Sequence, residues 1–432
     1  MRITSLFITL LLSLCAASAA PPNVILILAD DLGIGNVGCY GSDHCKTPNL
    51  DQLAATGTRF THAFTGALCG PSRALIMSGR YAFRNGSSNQ DASTAMPLRE
   101  LQMGLLFKKA GYATAAIGKW GQLPGGPETA GFDESLRFKG SGVYRSRKAD
   151  HLEPYWINGE EHQLATDEYM PDLMHQRATA FLKANLTKPF FLYYPMSHVH
   201  GDIQPTPDSK PDSKDLFADN VLYMDKLAGK LIAELEALNL RRNTLILFMG
   251  DNGTPKGQLE FSTIGGRSLS GMKGSMLEGG GLVPFIANWP GKTPSGKICQ
   301  DLIDSTDLLT TFSSLTETPL PAGTVFDGHS FAPQLLGRPG HPREWIFNQL
   351  AAMWYVRDAH WKLNHLGELF DMSRAPFEEK MVPAGSTDAT ATAARSRLAA
   401  VLAGLNPAGG IPDAGDGTGR HASKSKKKAR EN

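Results

Sequence analysis

The chain has 432 residues, with 43 Lys and Arg against 42 Asp and Glu, and 41% of its residues are hydrophobic. That balance excludes a nucleic-acid binder working through a dominant basic surface, and the composition excludes collagen-like repeats, wholesale disorder and a dense disulfide scaffold. The length fits one large α/β domain with a smaller appendage as well as it fits two or three average domains.

At the start, Arg2 precedes an apolar run from Leu6 to Leu14, then Ala17-Ser18-Ala19 before Pro21-Pro22. This pattern reads as a secretory signal peptide over residues 1–19, cut after Ala19. The nine residues of the run are too few for a bilayer-spanning helix, which needs roughly 20. No later stretch is long and apolar enough, so an exported protein, periplasmic or secreted, without a transmembrane anchor is expected. Export permits disulfides. Cys39 and Cys45 are close enough to close a small loop or to remain thiols, and Cys69 and Cys299 stand apart.

Continuous apolar runs at Asn23–Ala29, Ala113–Ile117, Pro189–Tyr194, Thr244–Met249 and Val283–Trp289 read as buried strands. Between them, Thr47–Gly57, Leu98–Gly111, Tyr169–Leu186, Lys214–Asn239 and Ser305–Leu315 read as helices. The alternation predicts a large, mostly parallel central sheet flanked by helices, an α/β fold occupying residues 21–335. From there the pattern changes to short strand-like pieces at Trp345–Gln349, Met353–Val356, Trp361–Leu363 and Leu369–Asp371, with a helix near Ala391–Leu402. That predicts a small C-terminal α+β subdomain over residues 336–405. Residues 406–432, with Lys424, Lys426, Lys427, Lys428 and Arg430, read as a disordered basic tail.

In an open α/β sheet, ligands bind beyond the carboxyl ends of the strands. Asp30-Asp31 follow the first run, Lys119 the second, His198 and His200 the third, and Asp251-Asn252 the fourth. Gly33-Ile34-Gly35-Asn36-Val37-Gly38 matches a dinucleotide fingerprint, but two carboxylates beside a pyrophosphate and no helix through Cys39–Pro48 argue against it. Carboxylate and amide oxygens arriving from two strand ends point instead to a hard cation, Ca²⁺ or Mg²⁺.

The segment Cys69-Gly70-Pro71-Ser72-Arg73, followed by Gly79-Arg80, resembles the C-x-P-S-R…G-R signature of type I sulfatases, members of the alkaline phosphatase superfamily. The resemblance runs in family order from Asn23 to about Glu379. It takes in NVILILADDLG, TPNLDQLAATGTRF, Gly118-Lys119-Trp120, Ser197–His200, Gly250–Gly253, Met272–Gly280, and ELFDM with Pro376 and Glu378. It implies a sulfuric ester hydrolase in which a maturation enzyme oxidises Cys69 to formylglycine, whose hydrate is the nucleophile. An aldehyde hydrate splits the reaction into two easier steps: one hydroxyl attacks sulfur, and the other collapses to the aldehyde and expels sulfate.

The resemblance also implies the roles of the other residues. Ca²⁺ is held by Asp30, Asp31, Asp251 and Asn252, together with the side chain at Cys69. Arg73 orients the nucleophile, while Lys119 and Lys273 grip sulfate oxygens and the leaving oxygen. Asp251 is the base for the attacking hydroxyl. His200 binds sulfate and protonates the leaving alcohol, and His198 joins it in binding substrate. The expected partner is a sulfated small molecule or glycan, with no nucleic acid.

One position departs. The family reads G-K-W-H, and that histidine assists release of sulfate, but here Gly121 and then Gln122 follow Trp120. His44, His62 or water are the candidate substitutes. Two further readings stand beside hydrolysis of a sulfate ester. One is a related phosphatase or phosphodiesterase, opposed by Cys69 and the oxygen-only ligand set. The other is a sulfated-glycan binder that no longer turns over, motivated by Gly121.

Overall fold

A computed structural model describes residues 21–420. The leader, residues 1–19, and Lys424–Arg430 therefore lie outside the described residues. Strands β1 (Asn23–Ala29), β2 (Thr58–Phe64), β3 (Ala113–Ile117), β4 (Glu134–Phe138), β5 (Glu153–Ile157), β6 (Glu160–Leu164), β7 (Phe190–Pro195) and β8 (Thr244–Gly250) enter one sheet. A two-stranded ribbon, β9 (Thr263–Ile264) and β10 (Arg267–Ser268), stands apart, and β11 (Phe285–Asn288) and β12 (Lys297–Asp304) complete the sheet. Its order is β12-β2-β11-β8-β1-β7-β3-β4-β5-β6. The middle, from β8 to β4, is parallel, and antiparallel pairs flank it through β11 on one side and β5 on the other.

The apolar runs form strands because every residue of β1 and β8 is buried on both faces, as a sheet covered by helices requires. Alternation divides them between two cores. Ile25, Ile27 and Ala29 pack with the helices Met170–Ala184 and Leu216–Ala237. Val24, Leu26 and Leu28 share a core with Ala74, Ile76, Phe107 and Phe312, which come from the helices Cys69–Ser78, Met103–Lys109 and Asp307–Leu315. The helix Leu216–Ala237 is capped by Asp215, whose Oδ1 accepts from Ala218 N at 3.0 Å. No helix among the described residues is long and apolar enough to cross a membrane.

A second, antiparallel sheet follows, formed by β13 (Ile346–Leu350), β14 (Met353–Arg357), β15 (Trp361–Asn364), β16 (Leu369–Asp371) and β17 (Lys380–Met381), with the helix Ala389–Leu405 packed against it. It is tied to the main sheet by polar contacts. Asn348 Nδ2 donates to Thr65 O at 2.7 Å, and the buried Arg343 Nε donates to both carboxylate oxygens of Asp307, at 2.7 and 2.8 Å.

One expectation needs correction, and one open alternative is decided. The tail does not begin at residue 406. Ile411 N donates to Phe83 O at 2.7 Å, Ser88 Oγ donates to Asp413 at 2.8 Å, and Gln90 N donates to Gly419 O at 3.1 Å. The glycine-rich stretch 406–420 lies on the protein because its carboxylates and carbonyls satisfy donors there. Cys39 and Cys45 do not form a loop: both are free thiols. Cys45 is packed into the core beside Leu50 and Asn36, while Cys39 N is held by Asp51 at 2.7 Å.

Two outcomes follow. In denaturant without reductant, Cys39, Cys45 and Cys299 should each take up one iodoacetamide by mass spectrometry; a resistant Cys39–Cys45 pair contradicts the fold. Replacing Arg343 by Leu leaves Asp307 buried without its cation and should lower unfolding stability by about 3–5 kcal/mol in urea denaturation.

Candidate active site

The register of the central strands builds the site. Ala29 of β1 pairs with Gly250 of β8, so the residues that leave each strand emerge side by side. Asp251 N donates to Ala29 O at 2.9 Å, and Asp31 N donates to Asp251 Oδ1 at 3.0 Å. Asp31 takes a left-handed backbone with φ 61°, a conformation that is costly for a residue other than glycine and turns the chain sharply at the strand end. On the other side of β1, Asp30 N donates to His198 O at 2.7 Å beyond β7. Next along, Lys119 N donates to Pro195 O at 2.8 Å. That approach requires glycine at 118, where φ is +132° and a Cβ would lie 2.0 Å from Pro195 O.

Cys69 opens the helix Cys69–Ser78 above these strand ends, with no side-chain cap of its own. Gln90, remote in sequence, supplies one: its Oε1 accepts from Gly70 N at 2.6 Å. The thiol Sγ lies 3.3 Å from Asp30 Oδ1 and 3.6 Å from Asp31 Oδ1. One turn on, Arg73 is held by Asp251 Oδ2, to which Nε and Nη2 donate at 3.1 and 2.8 Å, and its Nη1 donates to Lys119 O at 2.9 Å. Lys119 Nζ reaches Asp30 Oδ2 at 2.5 Å, and Lys273 Nζ reaches Asp31 Oδ1 at 2.6 Å. His200 Nε2 stands 3.9 Å from Asp31 Oδ2. Its side chain is 25% exposed and that of Lys273 9%, whereas those of Arg73, Asp30, Asp251 and Lys119 are fully enclosed. A ligand therefore enters past His200 and Lys273.

The electrostatics follow from burial and crowding. Burial, then the Asp30 carboxylate, pushes Asp251 up to about 6. Burial alone would raise Asp30 too, but Lys119, His200, Arg73 and Lys273 outweigh it and hold Asp30 well below the usual carboxylate range. The Cys69 thiol is pushed far up by burial, Asp251 and Asp30, which makes the unmodified sulfur a poor nucleophile. Burial also lowers His200.

Carboxylate oxygens of Asp30, Asp31 and Asp251 and the sulfur of Cys69 all lie within 4.8 Å of one another. Asn252 Nδ2 donates to Asp31 Oδ1 at 2.9 Å, while its buried Oδ1 has no hydrogen-bond partner among the described residues. This set of hard oxygens, one of them unused, fits a divalent cation such as Ca²⁺. The three carboxylates are balanced by Arg73, Lys119 and Lys273, so a bound divalent ion leaves the site positive and suited to an anion.

Asp30, Asp31, Cys69, Arg73, Lys119, His200, Asp251, Asn252 and Lys273 thus converge. His198 does not. Its ring lies among Tyr144, Tyr169 and Tyr223, Nε2 pairs with Tyr169 Oη at 3.1 Å, and burial drives its pKa down to about 3. The substrate contact expected of its side chain is corrected: what His198 contributes at the cluster is its carbonyl on Asp30 N. The reason is that neighbours two apart on an exit loop can face opposite ways. His44 pairs with Asp215 and lies tilted against Phe261, and His62 bonds Thr61 Oγ1 at 3.0 Å, so neither takes the place left by Gly121. A side chain does not fit there, since a Cβ on Gly121 would lie 2.3 Å from Gly140 O. Gln90 was missed because nothing in its local pattern links it to a helix twenty residues earlier.

With this geometry in place, comparisons with known proteins agree. A family model described as Sulfatase matches residues 22–318. Arylsulfatase A of Homo sapiens is 33% identical over 383 residues, covering 78% of this chain and 73% of that protein. N-acetylgalactosamine-6-sulfatase of Canis lupus familiaris is 32% identical over 358 residues, covering 74% and 67%. The crystal structure of Ps i-CgsB in complex with k-i-k-neocarrahexaose superposes with a TM-score of 0.80 at 26% identity, over 95% of this chain and 97% of that one.

Gly121→His should therefore destabilise the fold, by about 1–3 kcal/mol in thermal or urea unfolding, because backbone rather than a flexible side chain must yield. An unchanged unfolding midpoint contradicts the packing at Gly140.

Proposed function

Because the chain belongs to the sulfatase family, enzymes that hydrolyse sulfate esters, we propose that it removes sulfate from a sulfated carbohydrate outside the cytoplasm, using formylglycine derived from Cys69 and a bound Ca²⁺. The observation that carries this reading is the convergence of the Cys69 sulfur with three carboxylates, ringed by Arg73, Lys119 and Lys273. A glycan substrate is supported by the hexasaccharide held by Ps i-CgsB, and an exported location by the leader.

Asp30, Asp31, Asp251 and Asn252 Oδ1 would hold the cation. When bound, the ion and the aldehyde hydrate at position 69 supply an electrophilic contact for a sulfate oxygen and two hydroxyls, one to attack sulfur and one to expel it. Arg73, fixed by Asp251, orients the side chain at position 69 from one turn along the helix. Lys119, enclosed beside Asp30, and Lys273, at the opening, bind the remaining sulfate oxygens and take up the charge that develops there. Asp251 accepts the proton of the attacking hydroxyl on a carboxylate oxygen. His200, at the mouth, delivers a proton from Nε2 to the departing alcohol. Closure of the cluster from solvent strengthens each of these interactions.

A second reading is favoured by Gly121: a protein that transfers sulfate once and then holds it. Release of one alcohol per chain, with the sulfate retained on the protein and no further turnover, selects that reading.

Co-expression with a formylglycine-generating enzyme should give a Cys69 peptide about 18 Da lighter than the cysteine form. A fully active enzyme with an intact thiol at Cys69 sinks the mechanism. On a chromogenic aryl sulfate, chelation should abolish activity and added Ca²⁺ restore it. Lys119→Met should cost about 10²–10³ in kcat/KM, measured on protein that circular dichroism shows to be folded.

A further inference from the structure

Away from the Cys69 cluster, a cavity of about 340 Å³ lies between the β2–β12 edge of the main sheet and the C-terminal sheet. Its lining includes Arg59 and His62 from β2, Gln300 from β12, Glu278, Arg357 from the end of β14, and Phe377. That volume holds roughly ten waters, far more than a packing defect.

Arg357 is the unusual member. It is 1% exposed, and its Nη2 lies 3.3 Å from Glu278 Oε1. Its guanidinium also sits over the Phe64 ring at 4.9 Å from the centroid. Nε and Nη1 have no hydrogen-bond partner among the described residues. A buried guanidinium with two donor nitrogens unpaired is costly, and planar paired donors match an oxyanion better than any other ligand. The charges agree. Glu278 offsets Arg357, while Arg59, its guanidinium carbon 5.1 Å from the Tyr40 centroid, has no carboxylate partner in the lining. Pro376 and Phe377 add apolar surface to the lining, with Arg267 over the Phe377 ring at 4.0 Å. The lining holds no thiol or paired carboxylates, so the chemistry is recognition.

We propose that this cavity is a second anion site, in which Arg357 Nε and Nη1, with Arg59, His62 and Gln300, bind a sulfate or carboxylate group. The apolar surface and the volume leave room for a sugar ring attached to that group. The site is independent of turnover at Cys69.

Crystals of the full chain soaked in sodium selenate should show anomalous density within hydrogen-bonding distance of Arg357 Nε and Nη1. Calorimetric titration with sodium selenate and with sodium glucuronate separates the sources. Tighter glucuronate binding assigns the site to a sugar-borne anion, and equal affinity assigns it to the free ion. Arg357→Met, or the Arg59→Ala/Gln300→Ala double variant if that chain does not fold, should weaken binding at this site at least tenfold. The double variant should leave kcat on an aryl sulfate unchanged. Selenate confined to the Cys69 cluster, or affinity unaltered in the variants that fold, overturns the proposal.

Discussion

Three carboxylates sealed from water within a few ångströms of one another are tolerable only where cations meet them, and the centre of this protein is organised around that requirement. Desolvation and mutual repulsion act against Asp30, Asp31 and Asp251 together. Arg73 answers Asp251, Lys119 answers Asp30 and Lys273 answers Asp31. Each cation arrives from a different element: a helix start, a strand exit and a long loop. The compensation is therefore a property of the assembled fold, and removing any one cation leaves a buried charge behind. The same neutrality makes a divalent cation the natural fourth partner, since it relieves the carboxylates and turns the pocket positive.

The frame that supports this arrangement is rigid for ordinary reasons. β1 and β8 carry apolar residues on both faces, so a slip of one residue would exchange the two cores and separate Asp30 from Asp251. Backbone contacts then fasten the segments of the cluster to the frame: Lys273 N to Thr254 O at 3.0 Å and Gly274 N to Ala67 O at 2.8 Å. The C-terminal sheet reaches the same region through Asn348 on Thr65 O. At Gly121 shape prevails over chemistry. The chain passes so close to Gly140 that no imidazole fits, and among the described residues His200 is the one histidine whose ring approaches the cluster.

Much of this was legible in the residues. Long apolar runs located β1, β3, β7 and β8 within a residue because doubly buried strands tolerate little else. The helix Leu216–Ala237 announced itself by periodicity. The short strands β4, β5 and β6 were not recognised: their faces are mixed, with Glu160 and Glu161 exposed, and no hydrophobic rhythm marks them. Residues 406–420 read as tail because glycine and small polar residues carry no packing signal, although their backbone groups find partners.

By itself the amino-acid sequence determined the strands, the acids and amide at their exits, and the Cys69–Arg73 motif, since these depend on local pattern and residue chemistry. Only the tertiary structure decided which of them meet. Strand register brought Asp30 to Asp251, and loop geometry turned His198 into a tyrosine cage while leaving His200 at the mouth. Packing closed Gly121 to any side chain, and Gln90 and Arg357 acquired their meaning from elements far away in the chain. These are contacts between distant segments, set by register and packing together, and no local pattern encodes them.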